Sequence, residues 1–376
     1  MITRCILLCG NDPRHIFIMN SQERKESRFI RRKEKREQKK IDKSFDDVFN
    51  FDTLYKAGKD CCRNVRWKSS TINFEDNLIS ETNKNLAALQ DGTYKSDSFR
   101  SFSVIEHGKL RHIDALKIQD RQVQRCICNN IMTEAYSNTF VYENCASLPG
   151  KGMDFSINLL KNQLHAHYRK YGREGGILQF DFSDYFRSLP HEKIKERVRK
   201  HISDYRVAEL ICMFVDDFQN MRFPNEKDGI YYGVGLGSQV SQNIALDYVS
   251  PIDHYIKEVF QIKGYGRYMD DGYIISESVD KLKTIRENLI MLAESLGVKI
   301  NEKKTKITTF KSHGFVFLKF RFRINENGKI IMKPSRRTVK DMRRKLKKFR
   351  YFVDEDKMTV EDVITAYESW RGHIKR

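Results

Sequence analysis

Two adjacent aspartates between apolar segments, in the pentapeptide YMDDG at positions 268–272, constrain the fold more than any other feature. Asp-Gly flanked by apolar residues is a strong signal for a tight turn, so residues 268–276 are predicted to form a β-hairpin whose turn is Asp271-Gly272. A compact apolar segment, Ile177 to Phe182, predicts another strand, and it carries Asp181 near its end. If these strands are neighbours, the acidic residues lie together at one edge of a sheet.

The segments around the hairpin predict the rest of a mixed sheet. Apolar residues recur at helical spacing over 194–202, and a second helical pattern runs over 282–296. Gly297 stands where a helix C-cap is expected, and residues 298–300 begin another predicted strand. The order strand, helices, hairpin, helix, strand predicts an α+β fold with helices packed on one face of the sheet.

Charged segments mark both ends of the chain. Positions 21–43 are dominated by Lys and Arg interleaved with Glu, which is typical of an exposed helix or a flexible basic arm. Near the other end, apolar residues over 339–352 fall on one face of a predicted helix whose opposite face is Lys and Arg, and 359–370 predicts a second short helix. Residues 1–18 precede a more typical polar start at Met19 and are interpreted as an upstream extension with no role.

Composition favours a nucleic-acid partner without requiring one. The 376 residues include 69 Lys and Arg against 50 Asp and Glu, which gives a formal net charge of +19. A polyanionic partner is one interpretation of this charge, and a merely basic surface is the other. The 8 cysteines lack the spacing of a zinc site, so we expect reduced thiols in a cytoplasmic protein. No apolar run is long enough to span a membrane, so no membrane partner is expected.

The three aspartates suit phosphoryl transfer. In this chemistry two divalent cations about 3.5 to 4 Å apart hold the attacking and leaving oxygens on either side of a phosphorus. Mg²⁺ prefers hard oxygen ligands and is usually held by one or two carboxylates together with substrate phosphates. An aspartate at a strand end is ordinarily a cap, and Asp-Asp-Gly is ordinarily a turn. Their combination with the Gly/Ser-rich loop at 233–242 is far more specific than either alone.

These segments resemble the sequence blocks of the prokaryotic reverse transcriptases, the group that includes group II intron, retron and diversity-generating retroelement enzymes. The resemblance runs from about Lys109 to the end of the chain and is most specific in the tetrapeptide YMDD. It implies a right-hand polymerase with a basic N-terminal arm (1–44), fingers (45–175), a palm with an antiparallel sheet (176–333) and a short helical thumb (334–376). It also implies two Mg²⁺ ions, with Mn²⁺ as an alternative, at a metal site that consists of Asp181, Phe182, Asp270 and Asp271.

The resemblance implies further site residues. Phe186 falls where the family places an aromatic steric gate against ribonucleotides, with a core aromatic as the alternative. Lys304 matches a lysine proposed as general acid for pyrophosphate release. Lys109 and Arg111, on the second arm of a hairpin predicted over 102–113, match cations that grip the triphosphate, with ordinary surface cations as the alternative. The implied substrate-binding residues are Lys109, Arg111, Phe182, Ser183, Asp184, Tyr185, Phe186, Leu236, Gly237 and Gln242.

One departure from the family pattern concerns residues 236–242. Most relatives carry Gln-Gly-x-x-x-Ser-Pro there, whereas this chain reads LGSQVSQ, a form that resembles diversity-generating retroelement enzymes and some phage-defence relatives. Leu236 replaces a glutamine that hydrogen-bonds near the templating pair, so low fidelity or relaxed template dependence is expected. The alternative is that Leu236 only packs the loop. Residues 317–320 resemble the primer-grip block, with Lys319 where glycine is usual.

The function predicted from these residues is RNA-directed DNA polymerase activity, which adds dNTPs to a primer 3′-hydroxyl, in a retroelement or an antiphage defence system. The implied partners are an RNA template, the DNA product and dNTPs, with a structured non-coding RNA or an accessory protein as further candidates. Two alternatives stay open. One is a template-independent or DNA-templated polymerase of an antiphage system, and the other is a catalytically silent nucleic-acid-binding scaffold.

Overall fold

The computed structural model describes residues 21–37, 39–97, 99–106, 109–220, 225–227 and 229–375. The extension predicted at residues 1–18 lies outside them. The first part of the described chain is mostly helical, and its elements are α1 (Ser21–Glu37), α2 (Phe45–Val48), α3 (Phe51–Cys62), α4 (Ser69–Asp76), α5 (Leu78–Gln90), β1 (Arg100–Glu106), β2 (Lys109–Ala115), α6 (Ile118–Ile127), α7 (Thr133–Ser137) and α8 (Met153–Tyr171).

The centre of the chain builds a sheet and the helices around it. Its elements are β3 (Gly176–Asp181), α9 (Tyr185–Ser188), α10 (His191–His201), α11 (Tyr205–Asp216), β4 (Asn225–Lys227), β5 (Ile230–Tyr232), α12 (Gln239–Tyr248), α13 (Ser250–Glu258), β6 (Gly264–Tyr268), β7 (Asp271–Ser276), α14 (Val279–Ser295) and β8 (Lys306–Thr309). The chain then forms a small sheet and two helices, which are β9 (Phe315–Phe317), β10 (Phe320–Ile324), β11 (Ile330–Pro334), α15 (Arg336–Asp354) and α16 (Val360–Ile374).

The central sheet has four antiparallel strands in the order β6-β7-β3-β8. Every residue of β3 is buried, because alternate side chains enter two different cores. Leu178 and Phe180 pack in a core shared with the N-terminal helices and α14, whereas Ile177 packs in a second core with α8 and the three-stranded sheet. The expectation of helices on one face is therefore wrong, since both faces of the sheet are covered.

The helix that follows the hairpin is confirmed, but the strand after it is displaced. In α14, the N-cap Ser278 accepts a hydrogen bond from the Lys281 N–H, and Gly297 takes the positive φ (82°) that suits the end of a helix. The predicted strand at 298–300 contributes only one bridge, between Ile300 and Phe182. The fourth strand is instead β8, which pairs with β3. The pattern Val298-Lys299-Ile300 is too short to distinguish a strand from a loop that forms one bridge.

The turn of the hairpin is also displaced from its predicted position. Asp271 already belongs to β7, so the two turn residues are Met269 and Asp270. Met269 adopts the positive φ of the turn (55°), which Asp271-Gly272 had been expected to supply. Gly272 is needed for another reason: a Cβ atom at this position would approach the ring of Phe180 to 2.1 Å. The glycine therefore marks close packing between β7 and β3.

The basic segment at the N-terminal end is a helix packed on the protein. In α1, the ring of Phe29 meets the ring of Tyr255 edge-on, with 5.3 Å between centroids, and Arg36 donates to Glu258 at 2.7 Å. Of the two forms expected for residues 21–43, the helical one is observed over residues 21–37.

The two helices predicted near the other end are confirmed as α15 and α16. Ser335 caps α15 by accepting a hydrogen bond from the Thr338 N–H, and Met342 is the buried residue of this helix. No residue of α16 is buried in the described structure. Across the described residues, no helix combines the length and the apolar character needed to cross a bilayer.

Candidate active site

Strand pairing places two of the predicted metal ligands opposite each other. Asp181 ends β3 and Asp271 begins β7, and the antiparallel register pairs them directly. Residues opposed in this way have Cβ atoms about 4.5–5.5 Å apart. Asp270 precedes Asp271 in the hairpin turn. The three carboxylates therefore gather at one edge of the sheet.

Lys304 reaches the same edge through the loop that follows α14. The Asn301 N–H donates to the Asp181 carbonyl at 2.7 Å, and the Lys304 N–H donates to the Asn301 carbonyl at 3.1 Å. The Lys304 ammonium forms an ion pair with the Asp181 carboxylate. Burial alone would lower the pKa of Lys304, but this hydrogen bond and the charges of Asp181, Asp271 and Asp270 raise it above its ordinary value. Lys304 is therefore protonated at neutral pH, as the role of general acid requires.

The donor set suits a hard divalent cation, although it is not gathered around a single point. No three His, Cys, Asp or Glu side chains of the described residues are close enough to form a complete metal site. Two features nevertheless fit a cation here. Asp181 Oδ1 is buried without a hydrogen-bond partner. Asp271 opens to solvent on one side, yet the enclosing protein and the charges of Asp270 and Asp181 raise its pKa to about 7. A divalent cation would partner Oδ1 and favour the ionised carboxylates.

The backbone after Asp181 leaves the sheet at a single bridge. The Ser183 N–H donates to the Lys299 carbonyl at 2.8 Å, and the other hydrogen bond of this bridge uses the Asp181 carbonyl. The Phe182 side chain is buried in the core and has no metal-ligating atom. Its carbonyl oxygen takes no part in the bridge, so this is the atom through which Phe182 could join a metal site.

Asp184, Tyr185 and Phe186 lie in three different environments. Asp184 is exposed and has a left-handed backbone (φ 42°) at the start of α9. The Tyr185 ring is buried and stacks on the Phe182 ring at 5.1 Å between centroids, while its hydroxyl donates to the Ala245 carbonyl at 2.5 Å. Phe186 is half-buried and lines the cavity that contains the three aspartates. Phe186 therefore lies between the cavity and the core, whereas the Tyr185 side chain belongs to the core.

That cavity has a volume of about 870 Å³ and combines acidic and basic groups. Its acidic centre is formed by Asp181, Asp270 and Asp271. Its cations come from the loop before β8, from β8, from the β9–β10 turn and from α15, and they are Lys303, Lys304, Lys306, Lys319 and Arg337. Cations around a carboxylate cluster attract polyanions that the carboxylates alone would repel.

The turn that resembles a primer grip lies at the rim of this cavity. Leu318 and Lys319 are its central residues, and both have positive φ (45° and 72°). The Ser335 N–H, at the start of α15, donates to the Lys319 carbonyl at 2.9 Å. The first turn of α15 is thereby fixed to the edge of the cavity.

The loop residues predicted to bind substrate lie elsewhere. Gly237 and Gln242 line a second cavity of about 360 Å³, together with Arg121 and Arg125. Leu236 is half-buried and lines neither of the two cavities. The structure does not bring these three residues into the cavity of the aspartates.

Lys109 and Arg111 belong to β2. The hairpin predicted over 102–113 is confirmed, since β1 and β2 pair from residues 100 and 115 to residues 106 and 109. The side chains of Lys109 and Arg111 lie outside the described residues, so their contact with a triphosphate stays a prediction.

Arg267 was not among the predicted site residues, yet it supports the hairpin through buried contacts. Its side chain is 1% exposed and pairs with Asp253 at 2.6 Å. It also donates to the Met269 carbonyl at 2.9 Å, and so it fixes the turn that carries Asp270. A charged residue within an otherwise apolar strand was the available signal, because a buried charge requires a partner.

Comparisons with known proteins find a matching family model and a relative of known sequence. A family model described as reverse transcriptase (RNA-dependent DNA polymerase) matches residues 95–352. The chain is 26% identical to Protein YkfC of Escherichia coli (strain K12) over 244 residues, which are 56% of this chain and 63% of that protein.

Two solved structures are also similar. Apo telomerase from Candida tropicalis, truncated from its C-terminal domain, has a TM-score of 0.46 at 13% identity, over 63% of this chain and 55% of that one. Telomerase from Candida albicans, in complex with a fragment of telomeric RNA, has a TM-score of 0.48 at 11% identity, over 71% of this chain and 50% of that one.

An antiparallel sheet with paired aspartates at its edge, inside a cavity rimmed by cations, is an arrangement that suits metal-assisted phosphoryl transfer. The family match covers well over half of the chain, and the chain belongs to the reverse transcriptase family. The predicted family resemblance and the predicted α+β fold class are thereby confirmed. The chain spans 63% of the length of the Escherichia coli relative that it matches.

Proposed function

We propose that this protein is an RNA-directed DNA polymerase that adds dNTPs to the 3′-hydroxyl of a primer. The observation that carries the proposal is the pairing of Asp181 with Asp271 inside the cation-rimmed cavity, in a reverse transcriptase chain. Asp181, Asp270, Asp271 and the Phe182 carbonyl would hold two Mg²⁺ ions, with Mn²⁺ as the alternative. When bound, these ions supply stabilisation of the negative charge on the attacking and leaving oxygens.

The residues of the chain would perform the remaining tasks. Lys304, whose ammonium already contacts Asp181, would donate a proton to the departing pyrophosphate. Phe186 would lie beneath the sugar and exclude a 2′-hydroxyl by overlap. Lys109 and Arg111 would grip the triphosphate, and Arg337 and Lys319, which line the cavity, would contact the nucleic-acid backbone.

We assign the domains as predicted, with an N-terminal arm (1–44), fingers (45–175), palm (176–333) and thumb (334–376). The supports are the β3–β7 site for the palm and the basic helix α15 for the thumb. The fingers and palm share one hydrophobic core, which favours their moving as one body.

We place the enzyme in a retroelement or antiphage defence system, because its 236–242 segment resembles enzymes of those systems. An RNA template, dNTPs and the DNA product are its proposed partners, together with a structured RNA or an accessory protein. The six described cysteines that are free and buried support a reducing, cytoplasmic location.

Primer extension with purified protein tests the activity. The parent should incorporate dNTPs on an RNA template only when a divalent cation is present. Asp181→Asn and Asp270→Asn should each lower the rate by at least about 100-fold, since lost metal-mediated stabilisation is worth several kcal/mol. Asp280→Asn, an exposed aspartate of α14, is the matched control and should act like the parent.

The same assay separates the alternatives. Binding of nucleic acid should survive in the Asp181 and Asp270 variants, because it depends on Lys and Arg side chains. Extension that is equal without template, or that requires a DNA template, would favour the two polymerase alternatives. If the parent binds nucleic acid tightly and incorporates no nucleotide, the catalytically silent scaffold is favoured.

A further inference from the structure

His191 stands where the palm meets the loop that leads to Leu236. It is the first residue of α10, and it is 1% exposed. Its Nε2 atom lies 2.6 Å from the carbonyl oxygen of Gly233. A carbonyl oxygen can only accept a hydrogen bond, so Nε2 carries the proton and donates it. Burial lowers the pKa of His191, so the ring is neutral at pH 7 and commits its single N–H to Gly233.

This contact belongs to a short zone in which the segment 186–191 holds the loop. The Val234 N–H donates to the Phe186 carbonyl at 2.8 Å, and the Gly233 N–H donates to the Leu189 carbonyl at 2.8 Å. Pro190 and Tyr232 form a bridge next to the second of these bonds. The residues that hydrogen-bond to the loop therefore run from Phe186, the candidate steric gate, to His191.

The imidazole differs from the other contacts of this zone because it is a side-chain contact. No single side-chain substitution removes the backbone donors or acceptors of the zone, whereas one substitution removes the His191 hydrogen bond. Gly233 has a positive φ (103°), and a Cβ atom there would lie 3.4 Å from the Arg187 backbone. The loop and the gate segment are thus in close backbone contact, and a shift of the loop is transmitted to Phe186.

We propose that His191 is a positioning residue for nucleotide selection, which it serves by holding the loop at Gly233 against the segment that carries Phe186. The proposal rests on the proposed polymerase function and extends it to sugar discrimination. The ring touches no reacting group. It fixes the backbone of the segment that carries Phe186. Loss of its hydrogen bond makes the position of Phe186 less fixed and leaves the three aspartates in place.

Three variants of His191 and one control test this role. His191→Phe keeps a ring and removes the donor. His191→Gln keeps an N–H close to the position of Nε2, whereas the N–H of His191→Asn lies nearer to that of Nδ1. His201→Phe is the matched control, because His201 lies in the same helix, is also 1% exposed, and packs against Tyr136 rather than the loop.

Two measurements are made on each protein. The first is the ratio of kcat/KM for dNTP to kcat/KM for rNTP, with kcat and KM determined separately. The second is hydrogen exchange of the Gly233 and Val234 amides. His191→Phe should lower the ratio by up to about tenfold, as expected for one buried hydrogen bond, mainly through a higher KM for dNTP, and should speed exchange. His191→Gln should restore most of both, and His201→Phe should resemble the parent.

The proposal is overturned if His191→Phe gives the same ratio and exchange as His201→Phe. If His191→Phe does not fold, the Gln and Asn variants decide, since equal ratios in these two would show that the Nε2 donor is irrelevant. A parent that incorporates no nucleotide would refute the polymerase function itself and the proposal with it. Activity in the parent with unchanged selectivity in the variants refutes only the role of His191.

Discussion

At the scale of single residues, Phe186 carries the most direct test of substrate choice. Phe186 lines the cavity of the aspartates, and its carbonyl accepts a hydrogen bond from the Val234 N–H. Phe186→Ala should raise ribonucleotide use relative to deoxyribonucleotide use by about 10- to 200-fold, because a steric misfit of this size is worth about 1–3 kcal/mol. Competition assays with dNTP and rNTP measure the ratio. Phe260→Ala, which truncates another half-buried phenylalanine, should leave it unchanged.

Leu236 tests whether an apolar side chain lowers fidelity. It is half-buried in the loop that His191 holds, and it has no hydrogen-bonding side-chain atom. Leu236→Gln should lower misincorporation by about three- to tenfold, the range expected for one added net hydrogen bond. Leu236→Met keeps the volume and apolar character and serves as the control. Sequencing of products made on one RNA template gives the error spectra, and identical spectra for all three proteins would mean that Leu236 only packs the loop.

The aspartates of the candidate site have clearer local sequence signals than the residues that support them. Asp181 and Asp271 follow from local signals, namely a strand end and a hairpin, and the register pairs them. Arg267 contacts Asp253, fourteen positions earlier in the chain, and His191 contacts Gly233, forty-two positions later. No local pattern encodes such pairs, because only the packed fold brings their elements together.

At the scale of elements, the hairpin β6–β7 depends on a charge buried beneath it. Arg267 and Asp253 are 1% and 0% exposed, and Tyr265 donates to the same carboxylate at 2.5 Å. Arg267→Met should destabilise the protein by about 3–5 kcal/mol, because it leaves Asp253 buried without its cation. Urea unfolding followed by circular dichroism measures the loss.

A second substitution distinguishes the pair from simple packing. Adding Asp253→Leu to Arg267→Met should recover part of the stability, since two apolar residues replace a buried ion pair at little cost. Further loss in the double variant would show that each residue acts through other contacts, such as the bond from Arg267 to the Met269 carbonyl.

Elements with a long apolar period were predicted well, and short ones were not. The helices α14 and α15 follow from repeated spacing over several turns, whereas the residues at 298–300 form one bridge and the strand begins only at Lys306. The second core was also missed, because β3 is apolar at nearly every position. Such a strand is buried on both faces, and its sequence does not state what covers each one.

At the scale of the whole molecule, a chain with a net charge of +19 contains a local acidic centre that cations surround. The cavity places cations around Asp181, Asp270 and Asp271, and α15 continues this basic surface away from Arg337. A polyanion that follows α15 would thus reach the site along one face. The structure thus indicates where on the protein a polyanion would bind, which composition alone does not.

The basic face of α15 should therefore supply salt-dependent affinity for nucleic acid. Each phosphate neutralised by Lys or Arg releases condensed counterions, so each lost contact should flatten the slope of log affinity against log salt by about 0.7–0.9. The test variant replaces four exposed cations of α15 with Gln, at Arg343, Arg344, Lys347 and Lys348. The control removes the same charge from positions outside α15, at Lys263, Lys281, Lys283 and Arg286. Fluorescence anisotropy with a primer–template duplex at several salt concentrations gives the slopes, and equal slopes for the two variants would reduce this face of α15 to solvated surface.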